Sequence, residues 1–142
     1  MLGGATAATL DALGETLLPG AAEAGITNYV DAQLAKGLPL LIYRYLDVPI
    51  PPLEFYEGGL AALDGYSQAT HQAAFVDLPP ETRTAVVGAI AQGDPEGWQG
   101  PPAGLVYFVV RADAVDVVYG TEAGFERLGL PYVPHIAPPE RW

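Results

Sequence analysis

The sequence contains no cysteine, a single serine (Ser67) and only two histidines, His71 and His135. The missing thiols exclude disulfides, thiolate zinc sites, iron–sulfur clusters and haem attachment through C-x-x-C-H, so no redox centre can be carried on sulfur. The scarcity of Ser and His leaves a thin inventory of nucleophiles and proton carriers. Positive charge is scarce too: six Lys and Arg stand against seventeen Asp and Glu, a formal net charge of −11. That sign opposes a phosphate backbone or an anionic lipid face, and nucleic acid is excluded as an expected partner. No apolar run reaches the roughly 18 residues of a membrane span. The opening Met1-Leu2-Gly3-Gly4 has neither the basic nor the apolar region of a secretory leader. The chain is therefore read as soluble, and the absence of cysteine does not choose its compartment.

What is present is a length of 142 residues, enough for one domain that buries roughly two thirds of its unfolded surface. Hydrophobic residues make up 50% and charged residues only 16%, against an ordinary charged share of about a quarter. Some apolar surface is left over for a partner.

Leu10, Leu13 and Leu17 recur at helical spacing between Ala5 and Leu18, with Thr6 or Thr9 as candidate N-caps and Pro19-Gly20 as a stop. Ile26, Tyr29, Val30 and Leu34 form the stripe of a second helix within Ala21–Lys36, on which Asp31 faces outward. The run from Leu40 to Leu46 is too short for periodicity to decide, and the prolines at 49, 51 and 52 break any helix there. A long helix is expected over Leu53–Phe75, with Tyr56, Leu60 and Leu63 on one side; Gly58-Gly59 marks either close packing or a kink. Asp77 and two prolines precede a helix carrying Val86, Val87 and Ile90 that ends at Gly93. The stretch Ala103–Tyr119 is rich in β-branched residues, but seventeen residues without a turn signal favour a helix.

From Gly120 onward, four prolines (131, 134, 138 and 139) oppose regular helix, while Phe125, Leu128, Leu130, Tyr132, Val133, Ile136 and Trp142 make the segment too apolar for a disordered tail. The expected fold is mainly α. A compact bundle of about five to six helices over residues 5–120 is followed by a long, non-helical, Pro-rich arm over 121–142. The arm either wraps its own helices or lies across another protein, where its aromatic residues would be the anchors.

Asp64, Ser67 and His71, spaced three and four apart, share one face of the long helix and are the one arrangement resembling a nucleophile system. Mid-helix amides are already bonded to carbonyls one turn back and cannot form an oxyanion hole, so helix-surface hydrogen bonding is the plainer account. A hydrolase or small-molecule binder using that face is kept as the alternative function. Carboxylates are scattered singly, no calcium loop is present, and neither G-x-G-x-x-G nor G-x-x-x-x-G-K-[ST] occurs. Catalytic, cofactor and metal residues are therefore expected to be none. Arg44, between Tyr43 and Tyr45, is expected to form an ion pair or a stacking contact.

Three blocks in order carry a resemblance. The first is Thr9-Leu-Asp-Ala-Leu-Gly-Glu-Thr-Leu-Leu-Pro19 with Gly20–Gly25 and Tyr29–Ala35. The second is Tyr56-Glu-Gly-Gly-Leu-Ala-Ala-Leu-Asp64, then Leu78-Pro-Pro-Glu81 and Arg83 to Gly93. The third is Val118-Tyr-Gly120, Gly124-Phe125 and Leu128-Gly-Leu-Pro131. Together they resemble the gluconate 2-dehydrogenase subunit 3 family. The resemblance implies a non-catalytic small subunit that binds and stabilises a large flavoprotein of the glucose–methanol–choline type. FAD would reside in that partner, electrons often pass to a cytochrome c subunit, and the small subunit assists folding and co-export. It implies a periplasmic or exported location, with the cytoplasm as the alternative because the family's twin-arginine signal is missing here. Tyr119-Gly120-Thr121 replaces the family's usual tyrosine followed by paired glycines and asparagine. The expected partner interface comprises Tyr119, Phe125, Leu130, Pro131, Tyr132, Pro134, His135 and Trp142.

Overall fold

A computed structural model describes residues 1–36 and 41–131. Among them are six α-helices and no strand: α1 (Gly4–Leu17), α2 (Ile26–Leu34), α3 (Pro52–His71), α4 (Pro80–Ala91), α5 (Ala103–Tyr119) and α6 (Glu122–Arg127). Single 3₁₀ turns at Ile42–Tyr45 and Phe75–Asp77 flank α3. The 3₁₀ turn at 42–45 settles the run that periodicity left open.

Several boundaries differ from the sequence reading for local reasons. The second helix starts at Ile26, because Gly25 is left-handed (φ 82°) and the chain turns through 21–25 before it. Glu15 ties that turn down by accepting the Gly20 and Ala22 amides at 3.0–3.3 Å. The third helix stops at His71, since Gln72 takes the left-handed region (φ 60°) as its C-cap. Neither Thr6 nor Thr9 caps α1, whose N-cap is Gly3, and Asp77 lies in a 3₁₀ turn without capping α4. Asp31, expected to face outward, accepts the Leu2 amide at 2.8 Å.

The C-terminal segment holds the largest correction. Prolines begin only at 131, so 122–127 is free to form α6, and Thr121 caps it by accepting the Gly124 amide at 3.1 Å. The helix ends with Gly129 left-handed (φ 67°), the Gly129 amide donating to the Glu126 carbonyl and the Leu130 amide to Phe125. This is a Schellman ending. The expected non-helical arm thus begins with an ordered helix, and its remainder from 132 lies outside the described residues.

α5 is the central element, touching every other helix. Val106, Val109, Val110, Ala114, Val117 and Val118 bury its inner sides against Leu10, Leu13, Val30, Leu60, Leu63 and Ile90. Gly59 decides how near α3 comes: a Cβ there would meet the Val106 Cγ2 at 2.7 Å. The paired glycines mark close packing, Gly59 against α5 and Gly58 against Pro101. Asp94 reaches forward nine residues and accepts the Ala103 amide at 2.6 Å, fixing where α5 begins. Trp98 donates its indole N–H to the Pro101 carbonyl at 2.7 Å and packs near Tyr66, which pins the loop between α4 and α5.

Candidate functional site

The face of α3 that carries Asp64, Ser67 and His71 is divided by its neighbours. Asp64 accepts the Thr9 hydroxyl at 2.8 Å and the Phe75 amide at 3.0 Å, tying α1 and the 3₁₀ turn to α3. Ser67 is fully buried and its Oγ has no hydrogen-bond partner, whereas His71 is exposed at the helix end. Acid, hydroxyl and imidazole therefore have three environments and no shared reaction space. A buried unbonded hydroxyl costs stability, so Ser67→Ala is expected to raise the unfolding free energy by about 1 kcal/mol in chemical denaturation. A loss of stability would show that Ser67 has a partner in solution.

Arg44 stacks over the Tyr45 ring, 5.5 Å from its centroid, which selects stacking between the two expected contacts. On the outer side of α5, Arg111 lies over Tyr107 and Phe108. Among the described residues no group of three or more His, Asp or Glu could hold a metal ion. Among the described residues no helix is long and apolar enough to cross a membrane.

At the C-terminal end, Tyr119 closes α5 and is half-buried, as is Phe125 on α6. Leu128 is 51% exposed and Leu130 52%, and Pro131 is exposed beside them. Gly124 is buried where α6 crosses the end of α5, since a Cβ there would lie 2.5 Å from the Val118 carbonyl oxygen. Tyr132, Pro134, His135 and Trp142 fall outside the described residues.

Sequence reasoning missed the buried polar centre. Asp113 on α5 is fully buried; its Oδ2 accepts the Tyr56 hydroxyl of α3 at 2.6 Å, and its Oδ1 has no partner. Burial pushes its carboxyl up to about 7, aided by the Asp116 carboxylate and opposed by the Tyr56 bond. Burial and then Asp113 push the Tyr56 phenol far above its ordinary range. Tyr29 on α2 is raised to about 12 by burial, then by Asp116 and Asp113, and its hydroxyl lies 3.4 Å from Asp116. A signal was available: Val106, Val110, Asp113 and Val117 follow helical spacing, which places an acid in an apolar stripe.

Fold and site together define, among the described residues, a small helical protein without strands, with an ionisable pair in its core and exposed leucines at 128 and 130. The chain belongs to the gluconate 2-dehydrogenase subunit 3 family, whose model matches residues 5–138. Membership makes it the small subunit of a dehydrogenase complex. No curated protein and no solved structure matched it.

Proposed function

We propose that this chain is a non-catalytic subunit that binds and stabilises the large FAD-containing subunit of a sugar or polyol dehydrogenase, assisting its folding and its export to the periplasm. The observation that carries the reading is the family match over 5–138. The exposed Leu128 and Leu130 at the end of an ordered α6 support it, because adjacent apolar side chains left in water favour a protein contact. Tyr119, Phe125, Leu130 and Pro131 are the described part of the proposed interface, and Tyr132, Pro134, His135 and Trp142 its continuation. In this reading the flavin belongs to the large subunit, where it would accept hydride from a carbinol carbon, and a cytochrome c subunit is the proposed onward electron acceptor.

Co-expression tests this reading. With the chain present, the large subunit is expected to be soluble, FAD-loaded and active; without it, the yield of loaded enzyme is expected to fall about tenfold or more. Equal yields of active flavoprotein in both cases would refute the stabilising role.

A further inference from the structure

Asp113 sits where three helices meet, and the groups facing it are all neutral phenols or acids. From α3 comes the Tyr56 hydroxyl, with Tyr43 of the 3₁₀ turn behind it; from α2 comes the Tyr29 phenol; from the next turn of α5 comes the Asp116 carboxylate. Among the described residues, no cation and no group from α1, α4 or α6 is among those that shift it. A carboxylate in this place has one side-chain hydrogen bond, one bare oxygen and no counter-charge among the described residues, an arrangement costly in its ionised form and tolerable in its neutral form.

Solvent is close on one side. An open hollow of about 430 Å³ between α2 and α5 is lined by Asn28, Tyr29, Asp116, Val117 and Gly120 among others. Tyr29 and Asp116 both border this hollow and interact electrostatically with Asp113. A described polar contact across this seam is the 3.4 Å approach of Tyr29 to Asp116. The opposite side of α2 is fastened to α1, where Thr27 donates to the Ala7 carbonyl and to Asp11, at 3.1 and 2.7 Å. Parting α2 from α5 at that hollow would admit water toward Asp113.

We propose that Asp113 and Tyr56 form a buried proton switch: the protonated pair holds α5 against α3 and α2, and loss of the proton opens the α2–α5 seam at the hollow between Tyr29 and Asp116. The sign follows from linkage. The folded carboxyl keeps its proton up to about pH 7, whereas the unfolded one releases it near the ordinary value of 3.8. The group's stabilising contribution is then full below that ordinary value and is lost as pH rises through about 7.

Amide hydrogen exchange on the full chain, corrected for intrinsic rates, tests the switch at about pH 5.5 and about pH 8.5. Protection over 26–34 and 113–119 is expected to fall about tenfold or more at the higher pH, while Leu10, Leu13 and Ile90 at the α1–α4 contact keep theirs. Asp113→Asn is expected to abolish the fall, and Tyr56→Phe to move it to higher pH, since the lost bond favoured the ionised form. Infrared spectroscopy of the unaltered chain at about pH 5.5 is expected to show a protonated carboxylic acid, a readout available even if Asp113→Asn does not fold. No protonated-acid band, uniform protection at both pH values, or the same fall in Asp113→Asn would each overturn the proposal.

Discussion

Truncating Phe55 to alanine is expected to lower the unfolding free energy by about 3–5 kcal/mol, the range for an aromatic side chain lost from a packed core. The ring is fully buried, 4.4 Å from Tyr43 centroid to centroid and edge-on to Tyr56 at 5.7 Å. The cavity would therefore open beside the one residue that bonds Asp113, and Tyr56 would lose the packing that aims its hydroxyl. A total stability of about 5–15 kcal/mol is usual for a domain, so the variant is expected to sit near the edge of folding and to yield little soluble protein. Phe55→Leu keeps most of the volume and is expected to cost less than half as much in urea denaturation. A Phe55→Ala loss below about 1 kcal/mol would show that this aromatic cluster does not contribute the packing energy of a core.

Gly124→Ala is expected to detach α6. The atoms a Cβ would strike are backbone: the Val118 oxygen at 2.5 Å, the Tyr119 Cα at 2.6 Å and the Tyr119 carbonyl carbon at 2.8 Å. No rotamer change can relieve such contacts, so the helix must swing away from the end of α5. Because α6 is only six residues long and is the last element among the described residues, the expected result is local. Limited proteolysis would cut between 120 and 131 in the variant, while the thermal transition of the rest moves by only a few degrees. If the C-terminal end is the docking surface, affinity for the large subunit falls about tenfold or more in a pull-down titration. An uncut variant with unchanged binding would contradict both the packing argument and that assignment.

The two variants probe features of unequal legibility. Tyr56 lies in the apolar stripe read from period, whereas the burial of Phe55, one residue before it, comes from the packing of Tyr43 and Tyr56 around its ring. Gly124 did not declare itself: glycine before phenylalanine is compatible with a loop, and four prolines downstream suggested that regular structure had ended. The helix forms because those prolines start at 131, leaving Thr121 to cap and Gly129 to close it. Similarly, Gly58-Gly59 admitted either a kink or a close approach, and only the position of Val106 on α5 decided between them.

The polar residues show the same division. Asp64, Ser67 and His71 share a face by spacing, yet α1 and the turn at 75–77 cover Asp64, the core encloses Ser67, and His71 is left in water. Asp113 was readable as an acid within an apolar stripe but not as a partner of Tyr56, 57 residues away in sequence.

The mainly α class, the approximate spans of the first five helices, the absence of cysteine chemistry and the family resemblance were legible in the sequence, because these rest on composition, local period and ordered motif blocks. The tertiary structure alone decided which polar side chains meet. A 3.6-residue period says which residues share a helix face, but which neighbour covers that face depends on the crossing of other helices, here set by contacts such as Gly59 on Val106 and Tyr56 on Asp113.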